Sequence, residues 1–146
     1  MTNAEGPHIL EPVQAADGEA EGKRWSYRLI MFLRVMAVIS FGKGLYHWAV
    51  ICGIGAPLPS GFDSYSTPYQ VATVFFAVID QVAGVGLWLA APWGAVVWLT
   101  SIISMGAVEL LFPQIFGGNI WVIVAELFLL GGYLWLALMA AREQPG

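Results

Sequence analysis

The sequence predicts an all-α integral membrane protein: a four-helix bundle with both termini cytoplasmic and a disordered acidic N-terminal tail. Three observations predict it. Of the 146 residues, 58% are apolar and 11% are charged, whereas a soluble domain is about one quarter charged. Of the 6 basic and 10 acidic residues, eight fall within residues 1–28, so the rest of the chain cannot clothe a soluble surface. Four apolar stretches of about 20–25 residues then follow, each long enough to cross a hydrocarbon core of roughly 30 Å.

Residues 1–24 read as the tail. Glu5, Glu11, Asp17, Glu19 and Glu21 alternate with Gly and Pro, and no Lys or Arg occurs before Lys23. Such a segment buries little and is expected to be disordered, or to order only on a partner. It is not a secretory signal, because it starts acidic and the apolar stretch behind it is too long.

Residues 25–142 read as the membrane domain, with spans at 27–51, 69–90, 93–112 and 120–141. Gly53, Gly55, Pro57, Pro59, Gly61 and Pro68 mark the first loop. Ala91-Pro92 makes a tight second connection, with Pro92 opening the third helix. Pro113, Gly117, Gly118 and Asn119 mark the third loop, and Asn119 is suited to cap the fourth helix.

Orientation follows from the basic residues. Lys23, Arg24 and Arg28 precede the first span and Arg142 follows the fourth, while the loops carry neither Lys nor Arg. The positive-inside rule then places both termini in the cytoplasm, and an even number of spans agrees. Trp25, Trp88 and Trp93 fall at the inner interface, and Trp48, Tyr65, Tyr69 and Trp121 near the outer one. The net charge of −4 gives no reason to expect nucleic acid as a partner; the lipid bilayer is the expected one.

Charged residues inside the spans are the most informative feature. Arg34, Lys43, Asp80, Glu109 and Glu126 each lie within a predicted helix. An ionised side chain at a helix centre costs roughly 2.5–3.5 kcal/mol on insertion scales, so each should face protein, water or another charge. At about 1.5 Å per residue, Arg34 lies about 9 Å and Asp80 about 13 Å above the inner surface. Glu126 lies at about 20 Å, Lys43 at about 22 Å and Glu109 at about 24 Å. The depths predict an inner pair, Arg34 with Asp80, and an outer cluster of Lys43, His47, Glu109 and Glu126. Helical phase puts Ser40, Lys43 and His47 on one stripe, and Asn119, Glu126 and Tyr133 on a polar seam of the fourth helix. Asp80 shares its face with the small residues Ala77 and Gly84.

The outer cluster carries two carboxylates, one ammonium and one imidazole, so a proton shared among His47, Glu109 and Glu126 is one expectation. Three roles remain open for the network. It could fix helix order, it could form a site for a proton, an ion or a cationic ligand, or it could contact a partner subunit.

Catalytic and cofactor signals are sparse. A single cysteine, Cys52, excludes an intrachain disulfide and a cysteine-based zinc or iron–sulfur site. His8 lies in the tail, so a bis-histidine haem within one chain would need His47 from two copies. Glu109, Glu126 and His47 lack the Glu-x-x-His spacing of di-iron bundles, so no metal site is assigned. Gly42-Lys43-Gly44 lacks the wider glycine pattern of a phosphate loop. No catalytic motif and no cofactor is assigned.

The stretch 33–53, LRVMAVISFGKGLYHWAVICG, resembles the first helix of an uncharacterised family of small four-helix bacterial inner-membrane proteins, a domain of unknown function. Arg34, Gly42, Lys43, Gly44, His47 and Trp48 carry the resemblance, with an acidic residue in each later helix. It implies a fold and a compartment, the bacterial inner membrane, and no activity. The early Arg and the Gly/Lys-containing end of the first helix are also similar to DoxX-like proteins, some of which are associated with quinone-linked oxidoreductases; the order of those residues differs here. Small multidrug transporters are of similar length but carry their essential Glu in the first helix, where this chain has Arg34, Lys43 and His47.

Small size, the lack of a large soluble domain and the acidic tail favour a non-enzymatic accessory or assembly subunit of a larger inner-membrane complex. A small dimeric proton-coupled transporter using Glu109, Glu126, Lys43 and His47 is one alternative. A redox subunit holding haem or quinone near His47 is another. A membrane-protein partner or a homo-oligomer is expected in each case.

Overall fold

The computed structural model describes residues 12–55 and 61–142. The disorder expected over residues 1–11, and the loop breakers Pro57 and Pro59, lie outside the described residues. The described chain is helical: α1 (Pro12–Ile51), a 3₁₀ turn (Phe62–Ser64), α2 (Thr67–Trp88), α3 (Pro92–Leu111), α4 (Pro113–Phe116) and α5 (Ile120–Arg142). Four of these helices are long and apolar enough to cross a membrane: 24–51 within α1, and all of α2, α3 and α5. Bounds of α2, α3 and α5 differ from expectation by one or two residues, the usual scatter at helix ends.

The start of the first helix is a correction. It was expected near Tyr27, and α1 begins at Pro12, so helix replaces the disorder expected over residues 12–24. That segment contains the good helix formers Ala15, Ala16, Glu19, Ala20 and Glu21. Extending a helix that the apolar span has already nucleated costs far less than starting one. Proline at the first helical position gives up no hydrogen bond.

The third connection also holds a short helix, α4, that the loop breakers did not reveal. Pro113 opens it and Gly117 closes it at φ 87°. Asn119 caps α5 as expected: its side-chain oxygen accepts a 3.2 Å hydrogen bond from the Trp121 amide.

The α2–α3 connection is tighter than its sequence suggests. Ala91 N–H donates to Gly86 O and Ala90 N–H to Leu87 O, both at 3.0 Å. These are the paired bonds of a Schellman cap, and they force Ala90 to φ 50°, a position usually held by glycine. The reversal brings Gly86 and Gly94 backbone to backbone. A Cβ on Gly94 would lie 2.6 Å from both the Cα and the carbonyl oxygen of Gly86.

The helices do not contribute equally. α1 and α2 share the most extensive contact, α3 lies against α2, and α5 touches α1 more than α3. On α1, Leu33, Met36, Ala37, Ser40 and Gly44 recur at helical spacing and form the buried stripe. The core is Leu33, Met36, Ala37, Ala83, Leu87, Trp98 and Ile102. It occupies the half of the bundle nearest the termini. α5 buries a single residue, Glu126. Beyond it, Tyr133 meets Trp98 edge-on at 5.7 Å and Trp135 meets Trp25 edge-on at 5.4 Å.

Candidate functional site

With the apolar core near the termini, the opposite half of the bundle is left to polar side chains. α1, α2, α3, α4 and the start of α5 all contribute to a cavity of about 560 Å³ there. Its polar lining comes from Lys43, Tyr46 and His47 on α1, Tyr69 and Thr73 on α2, Glu109 on α3, and Asn119 ahead of α5. Phe76, Met105, Phe116 and Val122 complete the wall.

Lys43 Nζ donates to Glu126 Oε1 at 3.2 Å, which joins α1 to α5. Both side chains are largely withdrawn from the surface, at 31% and 11% exposure. His47 stacks on Phe76 at 5.7 Å, with the ring of Tyr46 edge-on at the same distance. Beside the cavity, Tyr65 stacks on the lining residue Tyr69 at 4.8 Å and Tyr69 on Phe116 at 5.5 Å. This aromatic run ties the first loop to α4. Glu109 is 7% exposed, and its Oε2 is buried with no hydrogen-bond partner.

The structure therefore brings Lys43, His47 and Glu109 to one cavity and sets Glu126 against Lys43 behind it. Ser40 is buried on the packed face of α1. Asn119 and Glu126 lie at the cavity end of α5, whereas Tyr133 lies lower, against Trp98. Tyr46, Tyr69, Thr73 and Phe116 were not expected at a site. The signal for Tyr69 and Thr73 was their spacing: four residues apart on one helix face.

The expected Arg34–Asp80 pair is a correction. Arg34 is exposed and lies over the Trp88 ring, 5.8 Å from its centre. Asp80 is 1% exposed and accepts a 2.5 Å hydrogen bond from Ser101 Oγ, while its Oδ2 has no partner. Among the described residues, the one ion pair is Lys43–Glu126. Depth alone suggested Arg34, but its position beside Leu33 turns it off the buried stripe. A long cationic side chain there runs toward the end of the bundle instead.

Among the described residues, no three His, Cys, Asp or Glu side chains come together as a metal site would need. No general base stands next to a Ser or Cys nucleophile in the cavity lining. Chemically, the arrangement offers a compensated ion pair, one uncompensated buried carboxylate, and aromatic walls.

Residues 27–144 match the profile of a family described as a family of unknown function, DUF6163. The chain belongs to this family. The match takes in the four long apolar helices, short of the first three residues of the 24–51 stretch, and carries the first of the two resemblances, not the DoxX-like one. No curated protein and no solved structure matches the chain. Membership brings no activity with it, so the function must be argued from the site and the surfaces.

Proposed function

We propose that this DUF6163 protein is a multi-pass protein of the bacterial inner membrane, with both termini cytoplasmic, that serves as an accessory subunit of a larger membrane assembly. The observation that carries the reading is the packing of α5. Of its 23 residues it buries only Glu126, and Trp121, Leu127, Phe128 and Leu138 are exposed. In a bilayer, apolar surface alone gives a helix little reason to stay against its neighbours; packing and polar contacts must hold it. A helix so lightly packed gains its remaining contacts from a partner subunit.

The experiment is the native mass of the tagged protein, extracted from its own membrane in mild detergent. The expected particle is far larger than a dimer and contains other chains. A clean monomer or dimer overturns the accessory-subunit reading. It would favour instead a small carrier working through the polar cavity, the reading that the unpartnered carboxylate of Glu109 supports.

Orientation has its own test. Cys52 is the sole cysteine, is exposed, and follows α1 at the end of the bundle opposite the termini. In intact cells with a permeabilised outer membrane, a membrane-impermeant thiol reagent is expected to label it. Labelling only after the inner membrane is broken would place the termini outside.

A further inference from the structure

We propose that the polar cavity binds an organic ammonium cation, with Glu109 as its counter-charge and aromatic rings as its cage. The proposal concerns occupancy of the cavity and stands apart from the accessory-subunit reading.

Charge is the first argument. Lys43 and Glu126 compensate each other at 3.2 Å. Glu109 is left, 7% exposed, in the cavity wall, with Oε2 unpartnered. A buried carboxylate without a partner is costly, and a cation that enters the cavity removes that cost. Asp80 Oδ2 is also unpartnered, but Asp80 is not part of the cavity wall and so does not compete for this role.

The walls are the second argument. Tyr46, Tyr69, Phe76 and Phe116 surround the space beside Glu109. Ring faces attract ammonium groups, and a carboxylate among several rings is the pattern that recognises them. The volume of about 560 Å³ lies in the range of small-molecule sites. Phe76 and Phe116 also wall a neighbouring apolar cavity of about 510 Å³ between α2 and α3. An apolar group attached to the ammonium has a place to go there, so the ligand class is an amine or quaternary ammonium bearing an aromatic or alkyl group.

The test uses the full-length protein in phosphatidylglycerol nanodiscs, with benzyltrimethylammonium as the probe and isothermal titration as the readout. Neopentylbenzene, its uncharged isostere, reports simple partitioning. Saturable one-to-one binding of the cation, with none of the isostere, is expected. Glu109→Gln should weaken it about 30-fold or more, whereas Leu138→Ala on the outward face of α5 should not change it. Absence of saturable binding to the natural protein overturns the proposal. So does equal binding of the isostere, or unchanged binding by a folded Glu109→Gln protein.

Should Glu109→Gln fail to fold, Tyr69→Leu against Tyr69→Phe decides. Loss in the first and retention in the second supports the aromatic cage, and retention in both overturns it. The same ammonium chemistry is available from a lipid headgroup. Competition by phosphatidylethanolamine added to the nanodiscs supports the site with a lipid as the source, and its failure to compete supports it with a free amine.

Discussion

Gly94→Ala is expected to destabilise the bundle by at least about 3 kcal/mol, the upper end of ordinary overpacking costs. Ordinary overpacking is relieved by side chains that move. Here the new methyl would meet the Cα and carbonyl oxygen of Gly86, each at 2.6 Å, and backbone held on both sides of a capped reversal cannot step aside. Relief requires α2 and α3 to separate, which would break the cap around Ala90 and open the contact of Trp98 and Ile102 with the core. Gly106→Ala is the matched control. It lies on the same helix, α3, with no atom within 4 Å of its added Cβ, and should be neutral or slightly stabilising. Reversible unfolding in mixed micelles of increasing dodecyl sulfate content compares the two. Equal midpoints would mean that the two helices do not approach as closely as described.

Lys43→Met is expected to be the next most damaging change, at about 3 kcal/mol. It leaves Glu126 charged and buried without its partner, on a helix that buries no other residue. The figure is at the low end of the range for broken buried pairs, because the Lys43 side chain keeps 31% of its surface exposed. Lys43→Met combined with Glu126→Leu should recover most of the loss, since two apolar side chains need no compensation. The four proteins form a double-mutant cycle. Additive losses in that cycle would show that the 3.2 Å contact does not hold α5.

Legibility in the sequence differed from one feature to the next. The four long apolar helices could be read because length and apolar composition are local properties, and α2, α3 and α5 ended within two residues of where they were expected. Proline and asparagine signals at Pro92 and Asn119 are local too. Helix over residues 12–24 was misread because acidic composition was weighed above the helix-forming preference of Ala and Glu beside a nucleated span. The Gly86–Gly94 contact had a signal that went unused: the two glycines stand four residues on either side of Ala90. A reversal centred there sets them opposite each other.

For the candidate site, depth along the helices grouped Lys43, His47, Glu109 and Glu126, and depth follows from counting residues. Depth also suggested Arg34 for Asp80, and there it failed. A pairing needs azimuth as well, and azimuth depends on which faces of the helices pack. One residue of helical phase separates Leu33, in the core, from Arg34, over Trp88. Ser101 as the partner of Asp80 likewise requires knowing how α3 is rotated against α2.

By itself the sequence determined four apolar helices, their order and the level of each ionisable group along its helix, because each depends on composition and a constant rise per residue. The tertiary structure decided which charges meet, that Glu109 Oε2 is left without a partner, and that Tyr46, Tyr69, Phe76 and Phe116 line the same cavity. Those outcomes depend on the rotation of each helix about its own axis. Packing between helices sets that rotation, and a chain apolar on every face does not announce it.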